Sequence, residues 1–206
     1  MTLYALKPRF QDLLRPLVAW LAAIGVTANQ VTMAAAIGSV VIAGIVIWEA
    51  EHRAIFLLLP LWLFVRMALN AVDGMLAREF GQKSRLGAYL NELGDVVSDA
   101  ALYAPFAVLA PFGWPSITLI ILLAALSELA GVLGPTVGAS RRYDGPLGKS
   151  DRAFVFGALG TWIGLGLPLP SWLGWPIVLL ISLLLVITTI NRIRAGLADA
   201  DGHQSG

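Results

Sequence analysis

Cysteine is absent from the 206 residues, and histidine occurs only as His52 and His203, each near a segment end. These gaps exclude disulfide scaffolds, cysteine metal sites and thiol catalysis, and they leave a histidine-centred triad or zinc site without material. Charge is scarce as well. Only 13% of the residues are charged, about half the share of an ordinary soluble domain. Lys plus Arg number 14 and Asp plus Glu 13, for a net charge of +1. Such a composition argues against disorder, against a basic nucleic-acid-binding protein and against an ordinary soluble enzyme. What is plentiful is apolar: 58% of residues are hydrophobic and the mean hydropathy is +0.78. The expected class is an all-α integral membrane protein.

A membrane-spanning helix needs about 20 mostly apolar residues. Candidate spans cover residues 31–49, 54–77, 86–110, 115–138, 153–169 and 172–191. Short connections join them, so one six-helix bundle over 31–195 is expected, with a short tail at 196–206. Residues 1–30 intersperse Lys7, Arg9, Asp12 and Arg15 with Leu3, Leu6, Phe10, Leu13, Leu14 and Leu17. That pattern lacks the order of a signal peptide and predicts an amphipathic helix lying in the membrane interface.

The cations sort by side. Lys7, Arg9, Arg15, Arg78, Lys83, Arg85, Arg141, Arg142, Lys149, Arg152, Arg192 and Arg194 fall on one side, Arg53 alone on the other, and Arg66 within a span. The positive-inside rule then predicts both termini on the cytoplasmic side, with bound anionic lipid as one role for the basic loops.

Ionisable residues inside spans are expensive and face a cavity or each other. The second span carries Arg66, Asn70 and Asp73, the third Asn91, Glu92, Asp95, Ser98 and Asp99, and the fourth Glu128. Asn70, Asp73 and Ala77 share one helical face, as do Gly87, Asn91, Asp95 and Asp99. If these spans are antiparallel neighbours, the faces converge into a set of oxygen ligands suited to Mg²⁺ or Mn²⁺, one or two ions. Gly74 and Gly87 would allow a ligand or a neighbouring helix to approach the backbone. Arg66 and Glu128 are expected to pair with each other. Gly157, Gly160 and Gly164 form a packing face for the bundle or for a dimer.

The stretches NAVDGMLAR and GAYLNELGD resemble the signature of the CDP-alcohol phosphatidyltransferases, D-x-x-D-G-x-x-A-R-x8-G-x-x-x-D-x-x-x-D. Asp73, Gly74, Ala77, Arg78, Gly87 and Asp95 match it at the required spacings. Two positions depart: the family's first Asp is Asn70 here and its third is Asn91, so four carboxylates become two. VTANQVT at 26–32 resembles the family's lead-in to the first span, with Ala28 for Pro. The resemblance, strongest to one enterobacterial branch of the family, extends over nearly the whole chain.

This resemblance implies transfer of a phosphatidyl group from a CDP-linked lipid, CDP-diacylglycerol, to a polar alcohol with loss of CMP. It implies Asn70, Asp73, Asn91 and Asp95 as metal ligands, and Gly74, Ala77, Arg78 and Gly87 as the lining of the nucleotide site. Asp95 is implied as general base, with Asp99 as its alternative. Arg141, Arg142, Lys149, Arg152 and Arg192 are candidates for an acceptor phosphate. Lys149 and Arg152 rank first among them, because the GPLGK turn offers backbone N–H groups to an anion. A homodimer in a bacterial inner membrane is also implied. A silent relative that binds the nucleotide lipid without turnover, or an ion-coupled transporter, are the competing readings.

Overall fold

The computed structural model describes residues 3–204, with side chains from residue 10 to 202. The expected cytoplasmic cations Lys7 and Arg9, and His203, therefore lie outside the described side chains. Among the described residues there are helices and connecting turns but no strand: α1 (Leu3–Ala23), α2 (Ala28–Trp48), α3 (Leu58–Glu79), α4 (Arg85–Tyr103), α5 (Trp114–Val132), α6 (Lys149–Gly164) and α7 (Ser171–Gln204). Short 3-10 turns at Arg53–Leu57, Ala104–Val108 and Gly134–Val137 extend or connect them. Among the described residues, four segments are long and apolar enough to cross a membrane: Ala28–Trp48, Arg53–Glu79, Trp114–Val132 and Ser171–Gly202. α4 is interrupted by charge and α6 has only 16 residues. The last helix also continues well past residue 191, through the stretch expected to be a tail.

Local chemistry sets the helix starts that matter for the site. Thr27 caps α2: its hydroxyl accepts from the Gln30 N–H at 3.3 Å, and the Gln30 side chain accepts from the Thr27 N–H at 2.9 Å. Ser84 begins α4 by accepting from the Gly87 N–H at 2.9 Å. Asp151 accepts from the Gly148 N–H at 2.9 Å and places a carboxylate at the positive end of α6.

Two apolar clusters hold the bundle. The larger joins Phe56, Leu59, Leu102, Tyr103, Phe106, Ile117, Phe156 and Leu185. Within it Tyr103 and Phe156 stack with ring centroids 3.7 Å apart. The smaller gathers Val18, Val31, Val72, Met75 and Leu76, docking α1 against α2 and α3. Arg15 ties α1 to the end of α3 through Glu79 at 2.6 Å. Gly160 and Gly164 back onto the Arg53–Leu57 turn and the start of α3: a Cβ at Gly164 would stand 2.9 Å from the Leu57 backbone nitrogen. That glycine face serves the bundle.

The helix order differs from the expected one at a decisive place. α3 and α4 are not packed side by side; α2 packs extensively against both, and α6 covers α3 while α5 covers α4. The helices carrying the two halves of the motif are thus held apart. Each presents polar groups to the gap, and charged side chains, not helix backbones, close it.

Candidate active site

Asp73 on α3 is buried, and its Oδ2 accepts from the Thr32 hydroxyl of α2 at 2.8 Å. Asp95 on α4 is buried as well. Asp95 Oδ1 meets the Lys149 ammonium at 2.5 Å and the Arg66 guanidinium at 3.2 Å. The helix N-terminus of α6 thus delivers a cation to an acid of the motif.

Two cavities are lined by motif residues. One, of about 550 Å³, opens between α3 and α6 and is walled by Leu63, Phe64, Met67, Asn70, Lys149 and Phe154. Phe64, Met67 and Phe154 are exposed on its outer side. The other, of about 350 Å³, is polar and lies among α2, the end of α3 and the start of α4. Asn29, Asp73, Gly74, Ala77, Arg78, Gly87 and Asn91 line it, together with Gln82, Lys83 and Ser84. Its walls are close: a Cβ on Gly74 would reach 2.9 Å from the Arg78 guanidinium, and one on Gly87 would reach 2.7 Å from Asn29 Oδ1. Gln82 braces the cavity by accepting from the Ala28 N–H at 2.7 Å.

The motif residues therefore converge, but not around one void. Asn70 belongs to the apolar cavity and Asp73 and Asn91 to the polar one, while Asp95 is bound by Lys149 and Arg66, which line the apolar cavity. Among the described residues no three of His, Cys, Asp and Glu gather as a metal centre. The donors at hand are two carboxylates and two carboxamides. That all-oxygen set fits a hard divalent cation and does not suit a soft one.

Behind Asp95 lies a buried ion network that sequence reasoning partly misassigned. Arg66 does not pair with Glu128. It binds Asp99 at 2.6 Å and Asp95 at 3.2 Å, because Asp95 and Asp99 are one helical turn apart on the face opposite it. Asp99 is not an open carboxylate either: Arg66 holds one oxygen and Arg152 the other, at 2.8 Å. Arg152 is wholly buried and also binds Glu128 at 2.8 Å. Arg192 and Arg141 complete the set around Glu128, at 3.4 and 3.6 Å, and Arg141 also pairs with Glu92. Two amides of the GPLGK turn are satisfied within the protein: Leu147 N–H donates to Thr188 Oγ1 at 3.0 Å and Gly148 N–H to Asp151.

Arg142 lies apart from this network. It grips Asp144 with a two-point hydrogen bond at 2.9 and 3.2 Å, and reaches Asp199 of α7 at 3.3 Å. Its guanidinium holds the Asp144 carboxyl below the usual carboxylate range. The stabilisation this gives is present at neutral pH and disappears as acid takes the pH down through that lowered value. Residues that spacing alone did not single out as partners, Thr32, Asn29 and Gln82, come from the α2 lead-in and the α3–α4 turn. The VTANQVT stretch already held the first two.

Residues 25–188 match the sequence profile of the CDP-alcohol phosphatidyltransferases. The inner membrane protein YnbA of Escherichia coli is 48% identical over 95% of this chain and 96% of its own length. A phosphatidylinositol phosphate synthase of Streptomyces avermitilis is 28% identical over 93% of this chain and 82% of its own. In fold, the chain resembles the Mycobacterium tuberculosis phosphatidylinositol phosphate synthase, crystallised with manganese and citrate. The TM-score is 0.69 at 20% identity, covering 88% of each chain. The apolar helices and these relatives make this a membrane protein, and the motif, the acid pair and the matched profile agree that the chain belongs to the CDP-alcohol phosphatidyltransferase family.

Proposed function

We propose that the protein transfers the phosphatidyl group of CDP-diacylglycerol to a polar alcohol and releases CMP. The observation that carries this reading is that Asp73 lines a cavity walled by the motif glycines while Asp95 is held by Arg66 and Lys149, two cations that line an adjoining apolar cavity open at its outer side. Acyl chains suit the first, walled by Phe64, Met67 and Phe154. A cytidine diphosphate suits the second, where Gly74 and Gly87 clear the backbone and Arg78 presents a phosphate-binding fork. The pyrophosphate then lies beside the acid pair. The acceptor oxygen bonds to the lipid-side phosphorus, the bond from that phosphorus to the pyrophosphate bridging oxygen breaks, and CMP leaves. Asp95 takes the hydroxyl proton. Arg66 and Lys149 fix the direction in which its carboxylate points.

Asp73 and Asp95, with Asn70 and Asn91 as neutral donors, would hold Mg²⁺ or Mn²⁺. The ion would neutralise charge on the pyrophosphate oxygens. Manganese in the mycobacterial synthase structure supports this choice. The same reading takes α2 to α7 as six spans, the charged α4 tolerated because its acids are paired within the bundle. α1, with Leu13, Leu17 and Trp20 exposed, lies in the membrane interface. Both termini face the cytoplasm, and a homodimer is the expected assembly.

The test is direct. Purified protein is incubated with CDP-diacylglycerol, Mg²⁺ or Mn²⁺ and pooled polar alcohols, and CMP and any new lipid are identified by mass. Product that vanishes on chelation and returns with either ion is the expected result. No CMP from any acceptor would favour the second reading, a lipid-nucleotide binder without turnover, to which the two amides and the Lys149 lid on Asp95 point. Asp restored at positions 70 and 91 would then revive the chemistry.

The polar cavity gives a separate expectation. Gly87→Ala puts a methyl group against Asn29 and narrows the cavity without touching the ion network. The concentration of CDP-diacylglycerol giving half-maximal rate should rise about tenfold, equivalent to roughly 1.4 kcal/mol of binding, while the melting temperature stays put. An unchanged half-saturation would move the nucleotide elsewhere.

A further inference from the structure

The arginines that sequence reasoning assigned to an acceptor phosphate already surround an anion. It is Glu128, a side chain of the protein itself. One carboxylate oxygen of Glu128 is bound by Arg152 at 2.8 Å and lies 3.4 Å from Arg192; the other is 3.6 Å from Arg141. Three guanidinium groups converging on one small anion is the arrangement expected around a bound phosphate monoester. Here Glu128 and two of the arginines are nearly inaccessible, at 7% exposure for Glu128, 0% for Arg152 and 2% for Arg192.

Most other donors of the cluster are also committed, Arg141 Nε being buried without a hydrogen-bond partner. Arg152 directs Nε to Asp99 and Tyr103, Nη1 to Ser127 Oγ and the Leu147 carbonyl, and Nη2 to Asp99 as well as Glu128. Arg192 donates to the Ser127 carbonyl at 2.5 Å and to the Asp144 carbonyl at 3.4 Å. Arg141 is drawn to Glu92 as well. A phosphate entering this cluster would have to share the arginines with a buried carboxylate that cannot leave, and like charges forced together are strongly disfavoured.

We propose that Glu128 takes the place of an acceptor phosphate among Arg141, Arg152 and Arg192, so that the acceptor alcohol is an uncharged polyol and phosphorylated alcohols are rejected. This rests on the transfer reading above and adds the substrate class to it. Discrimination comes from a built-in repulsive element, not from a missing basic residue. The basic cluster then supports the fold behind Asp95, and the hydroxyl-bearing acceptor approaches Asp95 beside Lys149.

Two measurements decide it. The first supplies glycerol and inositol in one arm and their monophosphates in the other, with CDP-diacylglycerol and metal, and weighs the lipid products. A preference of about a hundredfold or more for the uncharged arm is expected from the cost of placing like charges together. A preference for the monophosphates overturns the proposal while leaving phosphatidyl transfer intact. CMP release with no acceptor at all sinks the transfer reading instead, and the second measurement still speaks to the cluster.

That second measurement titrates inorganic phosphate, without metal or lipid, into the wild type and Glu128→Gln, reading the melting temperature. The wild type should show no phosphate-dependent rise, and Glu128→Gln should gain one that Arg141→Ala removes. A rise in the wild type that Arg141→Ala abolishes overturns the proposal, as does a folded Glu128→Gln that ignores phosphate. If Glu128→Gln does not fold, the two wild-type readings stand as the test.

Discussion

Asp95→Asn is expected to lower CMP release by about a thousandfold, within the range of 10² to 10⁴ typical of a lost general base. The change is nearly isosteric, so the side chain keeps its size and one acceptor oxygen. It loses the negative charge that Lys149 and Arg66 clasp, the capacity to take the acceptor's proton, and one of the two anionic metal donors. Single-turnover CMP release is the measurement, with the melting temperature recorded in parallel to show that the protein stays folded. A residual rate within about tenfold of the wild type would assign the base elsewhere. Asp73 is the next candidate, being the other acid in the gap. Asp99 is a poor one, because both of its oxygens are already held by arginines.

Arg152→Ala is expected to cost about 3–5 kcal/mol of stability, the range for removing one partner from a buried ion pair. Few side chains in the protein are so fully enclosed or so heavily bonded. Its loss leaves Asp99 leaning on Arg66 alone and brings Glu128 closer to an unpaired state, in a place water does not reach. Arg152→Lys should restore little, since one ammonium on a flexible stem cannot reach Asp99, Glu128, Ser127 and the Leu147 carbonyl together. Thermal melting in detergent checks both variants. Combining Arg152→Ala with Asp99→Asn should cost less than the separate losses added, because the two residues serve one interaction. Strict additivity, or a melting temperature unmoved by Arg152→Ala, would show that the network is not what holds α4, α5 and α6 together.

Much of this was legible in the chain itself. Apolar runs announced a helical membrane protein, and the spacing of Asp73, Gly74, Ala77, Arg78, Gly87 and Asp95 announced the family. These features are local: a helix face repeats every few residues, so side chains of one turn can be aligned without knowing the fold. The helix boundaries were less legible, for a reason that also is physical. The spans at 86–110 and 115–138 merged an α-helix with the 3-10 turn after it, because hydropathy does not distinguish the two.

Pairing between helices was the least legible. Arg66 and Glu128 looked like natural partners, as a cation and an anion each embedded in an apolar span. Each had several partners of opposite charge within reach in principle, and only packing chose among them. α2 wedges between α3 and α4, which sets Arg66 opposite the Asp95–Asp99 turn. α5 and α7 bring Glu128 and Arg192 together, and α6 carries Arg152 in between.

By itself, then, the sequence determined the class, the family and the motif positions of Asp73 and Asp95, since each is written in residue type and short-range spacing. Tertiary structure alone decided what the charges do. Electrostatic pairing depends on distances of a few ångströms between helices far apart in the chain, and those distances set Asp95 between Arg66 and Lys149 and gathered Arg141, Arg152 and Arg192 around Glu128.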